Sequence, residues 1–255
     1  MNELLAGTRI QLRLFRRNAG HLLVFTTIPF FTAIFLSSLS AADRTDLAPY
    51  GVIAPTLMAL WLVSIDLAGS VIDDDRERGT LELFAASPAN LSLMLTGRVL
   101  VVSTAGLLAF VEAVLTARLF FGVTLPTAHP WHILVTLLAT VLATAGTATV
   151  MAGAFVTARS SKRFANALGY PFYVLGGVLV PVTLLPLWIR PVSWFVYLYW
   201  SADLLRSATD PAPIEAFGPR LGALCLLGGV SFGLGFFVVN RFMHRARFQG
   251  ITGSS

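Results

Sequence analysis

Six apolar runs of at least 20 residues divide this 255-residue sequence, and such runs leave few folds open to it. They cover residues 22–42, 50–72, 98–121, 132–156, 166–187 and 221–240. A helix needs about 20 mostly apolar residues to cross the hydrocarbon core of a bilayer. Hydrophobic residues make up 56% of the chain and charged residues only 12%, whereas soluble domains have about 45–50% and about 25%. The sequence therefore predicts an all-α integral membrane protein with six transmembrane helices.

Basic residues are distributed unevenly over the segments that join these runs. With the N-terminus placed inside, 13 of the 18 lysines and arginines fall on the cytoplasmic side and five on the other. Because positive residues are retained on the cytoplasmic side, both termini are predicted to be cytoplasmic. The first run is longer than a signal-peptide core of about 7–15 residues, so we expect it to be a retained span. The expected location is the cytoplasmic membrane of a bacterium, with no nucleic-acid partner.

One transmembrane domain is predicted over residues 1–255, and it begins with an amphipathic helix in the segment 1–20. Four arginines of this segment fall on one arc of a helical wheel, and leucines cluster on another. Such a helix lies in the inner headgroup layer of the membrane. It serves either as an anchor alone or as an element that also touches a cytoplasmic partner.

A second segment that does not span, 188–220, is predicted to lie outside the cell. Its residues 192–205 are apolar and aromatic but too few to cross a bilayer. Tryptophan and tyrosine, which recur here, are typical of the membrane interface. Short re-entrant helices that dip into the outer leaflet are therefore predicted.

The most polar stretch of the chain, "DDDRERGTLELFAASP" at 73–88, lies in the cytoplasmic loop 73–97. Gly79 permits a sharp turn, and Thr80 is a suitable N-cap for a helix that follows. Glu82 then lies in the first turn, where the positive end of a helix favours a carboxylate. Leu81 and Phe84 give this helix an apolar surface. The pattern predicts either a docking helix for a soluble partner or a solvated loop.

Within this stretch, "ERGTLELFAASP" resembles the Glu-x-Gly-Thr-x-Glu signature of ABC-2 type permeases, the membrane subunits of ABC exporters, especially the drug- and antibiotic-resistance group. The matching residues are Glu77, Gly79, Thr80 and Glu82, followed by Ser-Pro at 87–88. The stretch "GGVLVPVTLLPLWIRPVSWFVYLYWSADLLR" resembles the end of that family's fifth span and its outer re-entrant region. The residues that carry this second likeness are Pro181, Pro186, Pro191, Leu205 and Arg206.

The resemblance implies a type V ABC exporter-like fold and a set of partners. Loop 73–97 would carry a coupling helix that contacts a separate ATPase subunit, and loop 157–165 would make a second, shorter contact. The expected coupling residues are Glu77, Gly79, Thr80, Leu81, Glu82, Phe84, Arg159, Lys162 and Arg163. Two ATPase subunits and a second permease, identical or related, are the expected partners, together with membrane lipids. The substrate is expected to be a small hydrophobic or amphiphilic compound; lipid, glycan and haem export are the alternatives within the family.

The phosphate-binding loop of an ATPase is missing from the sequence. No G-x-x-x-x-G-K-[ST] motif occurs, and the single lysine, Lys162, lies in "SSKRF". We therefore expect no cofactor and no enzymatic activity on this chain. ATP and Mg are expected on the partner ATPase subunit.

Two acidic residues, Asp66 and Glu112, fall inside predicted spans. A charge at the centre of a membrane helix costs roughly 2.5–3.5 kcal/mol on insertion scales, so each is expected to face protein or a water-filled cavity. Each is a buried structural acceptor, a contact on the substrate path, or a proton-coupling group in a secondary transporter. Thr140, Thr144 and Thr147 are further candidates for the path, with close helix packing as the alternative.

The stretch "GVSFG", Gly229–Gly233, matches the G-x-S-x-G pattern of serine hydrolases. An intramembrane protease would need a base beside Ser231, but all four histidines lie at or beyond the ends of spans, and the lysine lies in a cytoplasmic loop. Gly229 and Gly233 are therefore interpreted as a GxxxG pair for helix packing.

Overall fold

The computed structural model describes residues 2–17, 23–44, 47–77, 91–155 and 161–249. Within these ranges the chain forms ten α-helices and a 3-10 turn at Val182–Leu184, with no β-strand. The helices are α1 (Asn2–Arg17), α2 (Leu23–Ala41), α3 (Ala48–Glu77), α4 (Leu91–Ala105), α5 (Leu108–Phe121), α6 (Pro130–Phe155), α7 (Ser161–Leu175), α8 (Arg190–Ser193), α9 (Tyr197–Thr209) and α10 (Phe217–Gln249). The prediction of an all-α protein is confirmed for these residues.

Four helical stretches of the described chain are long and apolar enough to cross a membrane. They are Ala48–Ile65, Ser92–Phe121, Pro130–Ala154 and Phe217–Arg241. The apolar part of α2, Thr26–Ala41, is shorter, and α7 has 15 residues. These lengths support a multi-pass membrane protein, while the count of six spans and the side of the termini stay predictions.

Two helices extend beyond the ends of their predicted spans. α3 continues to Glu77, five residues past the predicted end at 72, and α10 continues to Gln249, past the predicted end at 240. Polar residues end the part of a helix that can lie in hydrocarbon, but they do not by themselves end the helix. The loop predicted over 73–97 is accordingly shorter, because α3 takes its first five residues and α4 its last seven.

The fifth predicted span, 166–187, is wrong at its far end because α7 stops at Leu175. Gly177 adopts a left-handed conformation with φ of +64°, which glycine accepts without strain. The Arg206 guanidinium donates to the Gly177 carbonyl oxygen at 2.7 Å and holds this turn in place. Pro181 follows and has no N–H to continue a helix.

The core is divided between two groups of helices that meet at α3. The larger apolar cluster joins α3, α4, α6, α7, α9 and α10, and the smaller one joins α2, α3 and α5 with one residue of α4. Trp61 of α3 is 1% exposed in the larger cluster. Because α3 contributes several buried residues to each cluster, whereas α4 adds only one to the smaller, α3 forms the centre of the bundle.

Glycines bring α6 and α10 into backbone contact. A Cβ atom on Gly228 would lie 2.9 Å from the Ala143 Cα, and one on Gly235 would lie 2.9 Å from the Val150 nitrogen. The predicted packing pair, Gly229 and Gly233, has no atom of the described chain within 4 Å of a Cβ position. α10 turns a neighbouring face toward α6, so the role of Gly229 and Gly233 in helix packing stays a prediction.

The amphipathic segment forms α1, which packs against the start of α4 through a reciprocal glycine contact. A Cβ on Gly7 would overlap the Met94 carbonyl oxygen, and one on Gly97 would overlap the Leu4 carbonyl oxygen. The buried Arg98 adds a hydrogen bond from its Nε to the Gln11 Oε1 at 3.3 Å.

The opposite face of α1 is turned away from α4. It exposes Arg9 and Arg13 together with Leu5 and Leu12. The predicted helix therefore exists, and its exposed side is amphipathic, whereas its depth in the membrane stays a prediction.

Candidate functional site

An apolar cavity of about 620 Å³ lies between α2, α3 and α7. Its volume falls within the roughly 300–1,000 Å³ of small-molecule sites in proteins. Apolar and aromatic side chains make up most of its wall: Thr27, Ile28, Phe31, Ile34, Phe35, Pro55, Met58, Ala59, Trp61, Leu62, Ile65, Gly169, Tyr170, Tyr173 and Leu179. No carboxylate, amine or imidazole belongs to this set, so the wall suits an apolar molecule.

An aromatic cluster fixes the wall of the cavity at α3. The Trp61 ring stacks on Phe172 with centroids 4.3 Å apart, and it meets the ring of Tyr173 edge-on at 6.5 Å. The Tyr173 hydroxyl donates to the Met58 carbonyl oxygen at 3.1 Å, which ties α7 to α3. Ring pairs of this kind contribute about 0.5–1.5 kcal/mol beyond the area they bury. This side of the cavity is therefore well ordered before any ligand arrives.

The other side of the cavity is open. Phe31 of α2 is 43% exposed and Tyr170 of α7 is 71% exposed, although both line the cavity. Phe30, the neighbour of Phe31, is 71% exposed but does not line it. A ligand can therefore enter between α2 and α7, where the described residues leave a gap.

Two of the threonines predicted for the path lie instead in the contact between α6 and α9. The Thr140 hydroxyl lies 2.9 Å from that of Ser201, and the Thr144 hydroxyl lies 2.9 Å from that of Tyr197. Both threonines are fully buried and also donate to carbonyl oxygens one turn earlier in α6. The structure therefore places them in helix packing and on the wall of neither large cavity.

Thr147 is the third threonine of this set. It is buried and donates to the Ala143 carbonyl oxygen of its own helix. Like the other two, it lines neither large cavity.

The two acidic residues of the predicted spans differ in what the structure shows of them. Glu112 lies on α5, half-buried, and its Oε2 has no hydrogen-bond partner within the described part of the chain. It lines neither large cavity. Asp66 lies in α3, but its side chain is outside what the structure describes. The role of each carboxylate stays a prediction.

The predicted coupling residues fall mostly outside the described residues. This holds for Gly79, Thr80, Leu81, Glu82, Phe84 and Arg159. Glu77 is the last residue of α3, and Lys162 and Arg163 lie in the first turn of α7, with side chains that are not described.

α3 and α7 run antiparallel. Met58 meets Tyr173, and Ile65, further along α3, shares the cavity with the earlier Gly169 of α7. The end of α3 and the start of α7 consequently belong to the same end of the bundle. In the sequence, one predicted contact segment directly follows α3 and the other directly precedes α7.

At the opposite end, the segment predicted to be re-entrant contains the short helices α8 and α9. α9 is largely buried against α3, α6 and α10. Pro181 precedes the 3-10 turn, Pro186 lies in an exposed turn, and Pro191 occupies the first turn of α8. How deep these helices lie in a membrane stays a prediction.

Arg206 of α9 is the residue that joins these elements. Its guanidinium carbon lies 4.2 Å from the centre of the Tyr50 ring, in addition to its bonds to the turn after α7. Burial lowers the pKa of this guanidinium, but arginine remains charged in proteins. Sequence reasoning selected Arg206 and missed Tyr50, because a tyrosine at the end of a span is an ordinary interfacial residue.

Most of the chain matches the sequence model of one known protein family. The family model described as ABC-2 type transporter matches residues 2–209, which run from α1 to the end of α9. No curated protein matches the sequence. The match covers the cavity walls and the segment that contains the Glu-x-Gly-Thr-x-Glu stretch.

Proposed function

We propose that this chain, which belongs to the ABC-2 type transporter family, exports a hydrophobic or amphiphilic compound across the cytoplasmic membrane of a bacterium. The members of this family are the membrane permeases of ABC transporters; they lack a nucleotide-binding domain and work with an ABC ATPase subunit. Two ATPase subunits, which hold ATP and Mg, supply the energy. A second permease, identical or related, completes the transporter.

The observation that carries this proposal is the apolar cavity between α2, α3 and α7. A water-soluble, charged substrate would need polar partners in its site, since an unpaired charge is costly in an apolar wall. An apolar compound finds there the Trp61 cluster on one side and the exposed Phe31 and Tyr170 on the other. The wall therefore favours an apolar molecule or the apolar part of an amphiphile.

Two walls of this cavity connect directly to the predicted coupling segments. α3 ends at Glu77, just before the proposed coupling helix at 80–86, and α7 begins at Ser161, just after the second contact loop. Movement of the ATPase subunits would thus be transmitted along α3 and α7 to the cavity. Such a movement would switch access to the cavity from the inner to the outer side of the membrane.

Phe31 and Phe30 provide a matched test of the substrate site. We expect Phe31→Ala to change the rate or the range of hydrophobic dyes transported by reconstituted complexes, whereas Phe30→Ala leaves both unchanged. The reason is that only Phe31 lines the cavity. Equal transport by both variants would contradict the assignment of this cavity. Uptake that follows an imposed proton gradient without ATP would instead favour a secondary transporter that uses Asp66 and Glu112.

Glu82→Ala tests the proposed coupling helix. A carboxylate at a helix N-terminus contributes only about 0.3–1 kcal/mol, so its loss cannot unfold the membrane helices. We expect ATP hydrolysis without transport, or loss of the ATPase subunit on purification. Glu3→Ala, which changes an acidic residue of α1 instead, is the control. Normal transport by Glu82→Ala together with Gly79→Val would identify this stretch as a solvated loop.

A further inference from the structure

A second cavity, of about 750 Å³, lies at the end of the bundle where α3 begins. It shares no lining residue with the apolar cavity and, unlike that cavity, is lined in part by charged side chains. Its charged lining residues are Arg190, Asp203, Arg206 and Asp210. Tyr50, Trp194 and Tyr199 add aromatic faces to the same wall. The export of an apolar compound gives no reason for this concentration of charge.

The guanidinium of Arg206 is only partly satisfied by the protein. Its Nη2 donates to the carbonyl oxygens of Gly177 at 2.7 Å and Val178 at 3.4 Å. Its Nε is buried and has no hydrogen-bond partner within the described residues. A buried donor without a partner is uncommon in native proteins and destabilises the folded state. Arg206 lines the cavity, so a ligand there can supply an acceptor to the part of its guanidinium that the cavity exposes.

Arg190 contributes a second guanidinium to the same cavity. Its Nε donates to the Leu185 carbonyl oxygen at 2.9 Å, and its Nη2 donates to the Thr183 carbonyl oxygen. In the described part of the chain its other terminal nitrogen, Nη1, donates no hydrogen bond. These bonds fix the side chain in place and leave donors available. Arginine presents a planar fork of donors that matches the oxygens of a phosphate.

Each carboxylate of the cavity already has a partner of its own. Asp203 forms an ion pair with Arg220, with 3.4 Å between Oδ2 and Nη1. Asp210 accepts a hydrogen bond from the Ala212 backbone nitrogen at 3.0 Å. Among the described residues neither aspartate forms a hydrogen bond with Arg190 or Arg206, although the negative charge of Asp203 acts on the Arg206 guanidinium. The two guanidinium groups therefore keep donors that neither aspartate uses, and those donors suit an anion.

The surface beside the cavity is strongly apolar. Leu187, Trp188 and Phe195 are 77–78% exposed and lie in the same segment as Arg190 and Trp194. Exposed tryptophan and leucine side chains at the end of a membrane helix bundle are typical of contact with lipid. A ligand that reaches both surfaces has an anionic head and an apolar tail.

We propose that this cavity binds the phosphate of an amphiphile's headgroup between Arg190 and Arg206, with the tail against Leu187 and Trp188. An outer-leaflet phospholipid is the source that fits the apolar surface. The proposal is independent of what the transporter exports, because it concerns a different cavity. It can be tested on the full chain without ATPase subunits, so that its failure and a failure of the proposed export function are distinguishable.

The test is a calorimetric titration of the purified chain in an uncharged detergent. The probes are dihexanoylphosphatidylglycerol, uncharged dihexanoylglycerol and inorganic phosphate. We expect about one phospholipid per chain, and a Kd raised about tenfold or more by Arg190→Gln, because a charge-assisted fork is lost. Arg118→Gln, which removes an exposed arginine of α5 that does not line the cavity, should leave the Kd unchanged.

Other outcomes would overturn the proposal. Equal Kd values for phosphatidylglycerol and dihexanoylglycerol would show that only the tail binds. Binding of inorganic phosphate as tight as that of the lipid would show a site for a free anion. If Arg190→Gln does not fold, Ser207→Asp is the second variant, since it retains both arginines and places a carboxylate in the cavity. Unchanged lipid binding by a folded Ser207→Asp chain would contradict the assignment.

Discussion

α3 is packed on two sides by helices that are both apolar but differ in side-chain size. On the α6 side, Ala145, Ala148 and Ala152 are buried, and α6 in turn meets α10 through glycines. On the α7 side, large aromatic rings lie between the helices and a cavity of about 620 Å³ remains. Small residues permit close approach of backbones in membrane proteins. Side-chain size, and not hydropathy, therefore determines where the helices pack closely, on the closed side at α6, and where a cavity remains, on the open side at α7.

The largest expected effect comes from adding a bulky side chain on the closed side, where α6 packs against α10. Gly228→Leu would push a side chain into the Ala143 backbone, at 2.9 Å already for Cβ. Overpacking costs about 1–3 kcal/mol and sometimes more, so we expect low yield and a strongly lowered melting temperature in detergent. Gly229→Leu is the control, because nothing described lies within 4 Å of its Cβ position. An equal fall in melting temperature for both variants would show that the Gly229 face of α10 is also packed against other residues.

A single methyl group added to each side of α3 should have effects of opposite sign. In Gly146→Ala the new Cβ lies 2.7 Å from the Gly228 carbonyl oxygen, so we expect a loss of about 1–3 kcal/mol. In Gly169→Ala it lies 3.5 Å from the Tyr173 ring, which is ordinary contact. Helix propensity then favours alanine by up to about 1 kcal/mol. The measurement is the melting temperature of each variant. A lower melting temperature for Gly169→Ala would show that the α7 side of α3 is packed as tightly as the α6 side.

The smallest effect is expected from removal of a hydroxyl on the closed side. Thr144→Val loses the contact with Tyr197, and such hydrogen bonds in membrane proteins average about 0.6 kcal/mol. Thr147→Val loses only a bond within its own helix and should change stability less. Both variants should transport at the wild-type rate if these threonines serve packing. A changed substrate range with unchanged melting temperature would restore them to the substrate path.

The sequence predicted the class of fold well because run length and charge are sufficient for it. The fourth predicted span, 132–156, coincides with α6 within two residues, since Pro130 marks its start. The fifth span failed because 166–187 is apolar throughout and hydropathy does not register a turn. The end of α7 depends on Gly177 and on its contact with Arg206, which lies 29 residues further along the chain.

The candidate site was less accessible to sequence reasoning than the fold. A helix that is apolar all round gives no sign of which face meets another helix, so the sequence pattern selected Gly229 and Gly233, whereas Gly228 lies against α6. Thr144 was similarly ambiguous, because a hydroxyl serves helix packing and a polar wall equally well. Trp61 attracted no attention, since a tryptophan inside an apolar run carries no periodic signal.

The reciprocal contacts of α1 with α4, Gly7 against Met94 and Gly97 against Leu4, have a consequence for the speed of the transporter. Each helix inserts a carbonyl oxygen where the other lacks a side chain, so α1 cannot slide along α4 without a collision. Any displacement of the start of α4 therefore drags α1 with it. On the prediction that α1 lies in the inner headgroup layer, the exposed Arg9 and Arg13 would move among lipid headgroups, and this motion would meet viscous resistance. Lipid fluidity would then govern the rate of the conformational cycle even where it leaves the equilibrium between states unchanged.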